Sequence, residues 1–284
     1  MNRRIFVIFL CLTFLHEERS FSQTITANEI IDKIKHEVNC PWNERTVDNI
    51  KGGLDGNTPI TGIATTFMAT LDVIKKAKAQ GCNLVITHEP TFYSHTDDMS
   101  LHVNDPIQID KLKYLQDHHM VVWRFHDHIH QNNPDMIYAG VLKYLNWAKY
   151  QSGSIVKIPS KKLKDIVAEI DTKMKTKTMR ILGNPDAVIS NISLVLGAAG
   201  SDAHFKALQN PDVQLLIVGE SNEWETVPYI QDAISEGKNK ALIVMGHTDS
   251  EEAGMDVCAD WLKKFYPSMK IQFIRAGNPF WGSK

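Results

Sequence analysis

Residues 82–90 read CNLVITHEP. Leu84, Val85 and Ile86 form an apolar run with no polar alternation, the pattern of a strand buried on both faces. The run ends on His88 and Glu89. The same pattern recurs twice. VVWRFHDHIHQ (121–131) follows its apolar run with His126 and Asp127, and KALIVMGH (240–247) closes on His247. LDVIKKAKAQG (71–81), IDKLKYLQDHH (109–119) and IYAGVLKYLNW (137–147) read as helices between or after these runs. Strands alternating with helices predict an α/β architecture. In such sheets the C-terminal edge of the strands is where ligands bind.

The rest of the chain extends the same reading. Ile30–Val38 is an amphipathic helix, and GIATTFMAT (62–70) is a strand. LKDIVAEIDTKM (163–174) is a helix, and residues 188–208 pass from strand through a glycine turn to helix. VQLLIVGE (213–220) and MKIQFIRAG (269–277) are strands, with helices over 225–236 and 251–265. The polar stretch AKYQSGSIVKIPSKK (148–162) marks the expected boundary, giving a first lobe over 23–150 and a second over 151–284.

With 284 residues, 43% of them hydrophobic, the chain can bury a sizeable core and is not a disordered one. A net charge of -2 lacks the basic footprint of a nucleic-acid partner. Residues 1–22 read as a secretory signal: Asn2-Arg3-Arg4, the apolar run from Ile5 to Leu15, then Ser20 and Ser22 before a cut at Gln23. The run is shorter than the ~20 residues of a membrane-spanning helix. Cys11 within it lacks the small neighbours of a lipoprotein cysteine. The mature chain is expected to be exported, periplasmic or secreted, with no membrane contact once the signal is gone. Cys40, Cys82 and Cys258 then remain, too few and too widely spaced for a disulfide framework, and read as small buried hydrophobes.

Five of the twelve histidines fall between His118 and His130. His118 and His119 precede their strand and read as surface residues. His126, Asp127 and His130 are candidate ligands, and His128 is either a ligand or a partner of one. In GHTDSEEAG (246–254), His247 and Glu251 are four apart, which puts both on one side of a helix. Asp249 or Ser250 is the expected N-cap there, and Glu252 the solvated neighbour. Imidazoles and carboxylates without thiolates suit Zn, Mn, Fe, Co or Ni rather than Ca or Mg.

Several segments stand in the order found in one known family: GGLDGN (52–57), residues 71–93, VVWRFHDHIH (121–130), YAGVLKYLNW (138–147), ISLVLGAAGS (192–201), VQLLIVGE (213–220), MGHTDSEEAGMDVCADWL (245–262) and IQFIRAGNPF (271–280). Over essentially all of the mature chain the sequence resembles the Nif-three-like family, also called GTP cyclohydrolase I type 2 homologues. The resemblance implies a two-lobed, three-layer α/β fold with mixed sheets, with a dinuclear metal centre at strand C-terminal ends between the lobes. It also implies a hexameric ring. His88 matches the first residue of the family's His-His pair, and Glu89 stands where the second histidine would be. His247 and Glu251 match the family's last motif. With His126 as the strand-end histidine, His130 stands where the family has an aspartate. The two departures are reciprocal, and Asp127 is the local alternative for the missing carboxylate. Met68 and Trp224 stand near a family aspartate and histidine.

The expected function is a metal-dependent hydrolase working through a metal-bound hydroxide on two divalent ions and a small-molecule substrate. The alternative is a non-catalytic metal-binding ring that handles metal. The GAAGS turn (197–201) lacks the lysine of a phosphate-binding loop, and an exported chain would not meet GTP.

Overall fold

The computed structural model describes residues 25–282. The expected signal, residues 1–22, lies outside the described residues. Helix α1 (Ala27–Glu37) starts on a capping box, with Thr26 and Glu29 each satisfying the other's amide. Then follow β1 (Gly62–Thr66), α2 (Leu71–Ala79), β2 (Leu84–Thr87), α3 (Pro106–Asp117), β3 (Val121–Arg124), α4 (Asp127–Gln131) and α5 (Met136–Leu145). The second half is β4 (Gln151–Ser152), β5 (Ile155–Lys162), α6 (Leu163–Met174), β6 (Arg180–Leu182), β7 (Val188–Val195), α7 (Ser201–Leu208) and β8 (Leu215–Val218). It ends with α8 (Thr226–Ser235), β9 (Ala241–Val244), α9 (His247–Lys263) and β10 (Lys270–Phe273).

Two sheets result, ordered β10-β1-β2-β3 and β4-β5-β7-β8-β9-β6. The first is parallel throughout. Only the second is mixed, with β7, β8 and β9 parallel and β4, β5 and β6 antiparallel to their neighbours. The last strand, β10, pairs with β1 in the first sheet although it lies in the half expected to form the second lobe. The polar stretch 148–162, the expected boundary, supplies β4 and β5, the edge of the second sheet. Val156 and Ile158 point inward between exposed lysine and proline, so the polar residues are the solvated face of an edge strand.

Strand alternation sorts the core. Leu84, Ile86, Val121 and Trp123 of the first sheet share one apolar cluster with Leu215, Ile217, Ala241 and Ile243 of the second, and with α1, α5, α6 and α9. Val85 and Val122 face the other way, onto α2 and α3, and Leu216, Val218, Leu242 and Val244 face α7 and α8. Each sheet is thus the middle of a three-layer unit, and the two units share their inner helices. The closest approach is between α5 and α9. A Cβ on Gly140 would meet the Ala253 backbone at 2.3 Å, and one on Gly254 would meet Ile137 Cα at 2.5 Å. Helix α9 carries His247 and Glu251 at its start. No helix among the described residues is long and apolar enough to cross a membrane.

Candidate metal centre

Three strand ends converge. β2 delivers His88 and Glu89 directly. β3 stops at Arg124, and the chain turns into α4, so His126 lies before that helix and His130 one turn along it. Asp48, from a distant loop, caps α4 by accepting the amides of His126, Asp127 and His128 at 2.6, 2.9 and 2.9 Å. After β9 the chain turns at Gly246, whose φ of +95° suits glycine, and α9 opens at His247. Asp249 and Ser250 are therefore inside the first turn rather than at the N-cap. Their side chains bond instead to Asn278 and to the His247 carbonyl.

The imidazoles share one design. Each fixes Nδ1 on an outer acceptor: His88 on the Phe125 carbonyl (3.2 Å), His126 on Asp127 (2.9 Å), His130 on Asp135 (3.0 Å) and His247 on Glu220 (2.9 Å). Each turns Nε2 towards Glu89 or Glu251. From Glu251 Oε2, His247 Nε2 lies at 3.1 Å and His88 Nε2 at 3.3 Å. From Glu251 Oε1, His130 Nε2 lies at 3.9 Å. Glu89 Oε1 faces the Nε2 atoms of His247, His126 and His88 at 3.3, 3.7 and 4.0 Å. Fixing Nδ1 sets the tautomer and leaves Nε2 to bind inward.

Two groups meet the geometric requirement for holding a cation: His88, His126 and His130, and His88, Glu89 and Glu251, each with ligand atoms within 4.8 Å of one another. His88 Nε2 is fully buried and, although Glu251 Oε2 stands 3.3 Å away, it is not aligned for a hydrogen bond with any of the described residues. Buried polar nitrogens are nearly always partnered, and a divalent cation fits this one. Burial pulls the His247 imidazole down, but its hydrogen bonds to Glu251 and Glu89 override that and hold it at about 10. Burial pushes Glu89 up, yet the His247 bond and the neighbouring imidazoles bring it down to about 2. Glu251 is lowered in the same way.

A sequence profile of the Duf34/NIF3 (NGG1p interacting factor 3) family matches residues 25–279. This chain belongs to that family. The Duf34/NIF3 chain is 22% identical over 211 residues to the GTP cyclohydrolase 1 type 2 homolog of Clostridium acetobutylicum, covering 69% of this chain and 74% of the relative. Its fold matches a hypothetical protein of Staphylococcus aureus with a TM-score of 0.71 at 14% identity, over 91% of this chain and 99% of that one. It also matches a Bacillus cereus protein related to NIF3, with a TM-score of 0.71 at 10% identity, over 92% and 100%.

Not every expected residue of this Duf34/NIF3 chain reaches the cluster. Asp127 lies outside both groups, because α4 begins there. One oxygen takes His126 Nδ1 and the other takes the Thr46 hydroxyl and the Val47 amide. His128 uses both nitrogens on Asp48 and the Asn43 amide and stacks 3.6 Å from Trp42, so it is structural. Glu252 is not solvated. It is buried, holding Arg275 Nε at 2.7 Å and the Gly277 amide at 2.8 Å. His119 is exposed and Trp224 lies on the surface, while Met68 lines a cavity next to Glu89. Arg124 carries no site signal in the sequence. It is fully buried, donates to the His88 and His95 carbonyls, and reaches Glu89 Oε2 at 3.4 Å. Glu220 also ends an apolar strand run, so the strand-end rule that found His88 could have found it. Asp48 carries no such local signal.

Proposed function

We propose that this chain is a metal-dependent hydrolase whose centre holds two divalent transition-metal ions among His88, Glu89, His126, His130, His247 and Glu251. The observation that carries the reading is His88 Nε2, buried and without a hydrogen bond, facing both carboxylates. Nitrogen and carboxylate donors without thiolate favour Zn, Mn, Fe, Co or Ni. Glu251 turns one oxygen towards His88 and His247 and the other towards His130, the disposition of a bridging carboxylate. Arg124 occupies Glu89 Oε2 and leaves Oε1 for the centre. Asp127, Asp135, Glu220 and the Phe125 carbonyl hold the four rings so that each Nε2 faces inward, where it would give its lone pair to a bound ion. Ions bound there would polarise a substrate's carbonyl or phosphoryl oxygen and activate water.

His126, His130 and His247 stay partly exposed, at 22, 30 and 24% of their side chains. An approachable centre supports turnover over closed storage. The substrate class is a phosphate ester, an amide or a cyclic amidine. The proposal includes export on residues 1–22 and assembly into a six-membered ring, the closed symmetry that homo-oligomers favour.

Elemental analysis of chelator-free protein, then a hydrolase screen over those three classes, tests the function. About two metal equivalents and turnover that chelation abolishes are expected. Less than one equivalent after metal supplementation overturns it. N-terminal sequencing from the native host should begin near Gln23, and light scattering should give about six chain masses. An intact Met1 in a soluble cytosolic fraction or a monomer mass sinks the respective part.

A further inference from the structure

Next to the centre, Glu89 also lines a cavity of about 440 Å³, the size of a small-molecule pocket. One side is apolar: Met68, Leu71 and the ring of Tyr93. The inner wall is polar and buried. Thr91 is 1% exposed, and its hydroxyl has no hydrogen-bond partner among the described residues. Lys111 is 3% exposed. Its Nζ donates to the Thr91 carbonyl at 2.5 Å and lies 5.2 Å from the centre of the Tyr93 ring.

The charge behind this wall is lopsided. Lys51 Nζ stands 3.1 Å from Asp97 Oδ2, and Arg124 Nη1 reaches the same oxygen at 3.9 Å. Both cations are buried. Lys51, Arg124 and Lys111 thus surround the carboxylates of Asp97 and Glu89, and Glu89 turns Oε1 towards the imidazoles. Asp48 also acts on Lys51. No carboxylate among the described residues forms an ion pair with Lys111, whose Nζ has only the Thr91 carbonyl and the rings of Phe92 and Tyr93 beside it. A negative group at the Lys111 end would therefore compensate its buried charge. Tyr93 supplies a separate sign. It sits at φ 58°, in the left-handed region that bulky side chains avoid, and that holds its ring beside Lys111. Strain of this kind gathers at ligand clamps.

We propose that this cavity binds the substrate of the centre, and that the substrate joins an oxyanion, carboxylate or phosphate, to a flat apolar body. The oxyanion sits on Lys111 Nζ, and the unpartnered Thr91 hydroxyl buried beside it turns to donate. The apolar body lies against Met68, Leu71 and Tyr93, and the far end meets the centre at Glu89. Calling the ligand a substrate rests on the hydrolase reading; the binding itself does not.

Calorimetric titration of the full-length purified protein, with metal content measured on the same sample, is the test. The probes are phenylphosphonate, benzoate and the neutral benzyl alcohol. Both anions are expected to bind and benzyl alcohol to bind at least about tenfold more weakly. Lys111→Met should weaken phenylphosphonate by more than about tenfold and Thr91→Val by about fivefold, with metal content unchanged in both. Thr91→Val keeps the side-chain shape and breaks no side-chain hydrogen bond of the folded chain, so it decides the matter if Lys111→Met does not fold. Equal affinity for benzyl alcohol, or undiminished phenylphosphonate binding in Thr91→Val, overturns the proposal. Anion binding that depends on Thr91 in a protein that holds no metal would uphold the cavity and sink the hydrolase reading alone.

Discussion

A Cβ on Gly197 would stand 2.2 Å from Oε1 of Glu251. The GAAGS turn therefore serves the centre by having no side chain at its first position. Gly197 holds φ at +64°, and its amide donates to Ser250 Oγ at 3.1 Å, which fastens the turn to the first helical turn of α9. Gly197→Ala removes no ligand, but it should push Glu251 out of line and strain the backbone by about 1–3 kcal/mol. Bound metal should fall well below wild type in protein that still melts cooperatively. Full metal content in that variant would show that the contact is incidental.

Glu251 and Glu252 are adjacent in sequence and separate in role. Glu251→Ala should lower bound metal from about two equivalents towards one or none, because it removes the one carboxylate that faces imidazoles with both oxygens. Glu252→Ala leaves the Gly277 amide and Arg275 Nε without their acceptor. It should cost about 2 kcal/mol in denaturant unfolding and leave metal content near wild type. Equal metal loss in both variants would contradict this division.

Glu89 and His130 allow a coupling test. Glu89→His alone should weaken metal binding, and it also removes one of the two carboxylates that face Arg124. Adding His130→Asp should partly restore metal affinity, since ligands of one site couple non-additively. It should not restore stability, because the Glu89–Arg124 ion pair stays lost. A simple sum of the two affinity losses in calorimetric titration with zinc would mean that the positions are independent.

His247 carries a proton that a metal must displace. Between Glu89 and Glu251 its pKa is raised to about 10, so metal-free protein holds the imidazolium at neutral pH. A raised pKa stabilises the metal-free fold fully below the ordinary histidine value of about 6.5, and that contribution is lost as pH rises towards about 10. Metal binding runs the other way. Its affinity should climb through the same window, with about one proton released per site at pH about 7.5. Titrations in buffers of different ionisation enthalpy measure that proton. None released would rule out His247 as a ligand that starts protonated.

What the sequence by itself determined is the set of strand-end groups. Apolar runs such as LVIT (84–87) and ALIV (241–244) are local signals, and the histidines that end them follow without knowledge of the fold. The spacing of His247 and Glu251 likewise survives, because it depends only on helical pitch. Local patterning failed where a neighbour from far along the chain decides. Asp127 and His128 read as ligand candidates from the stretch around them, yet Thr46, Val47, Asn43 and Asp48 occupy their polar atoms. Glu252 reads as solvated because the Arg275–Gly277 segment that covers it comes two dozen residues later. Which oxygen of Glu89 faces inward depends on the buried Arg124, and β10 joins the first sheet only because the chain returns past α9. The α5–α9 crossing at Gly140 and Gly254 brings the two helix backbones together, and α9 carries His247 and Glu251. A close approach between two helices more than a hundred residues apart leaves no periodic mark on either one, so only the tertiary structure could decide it.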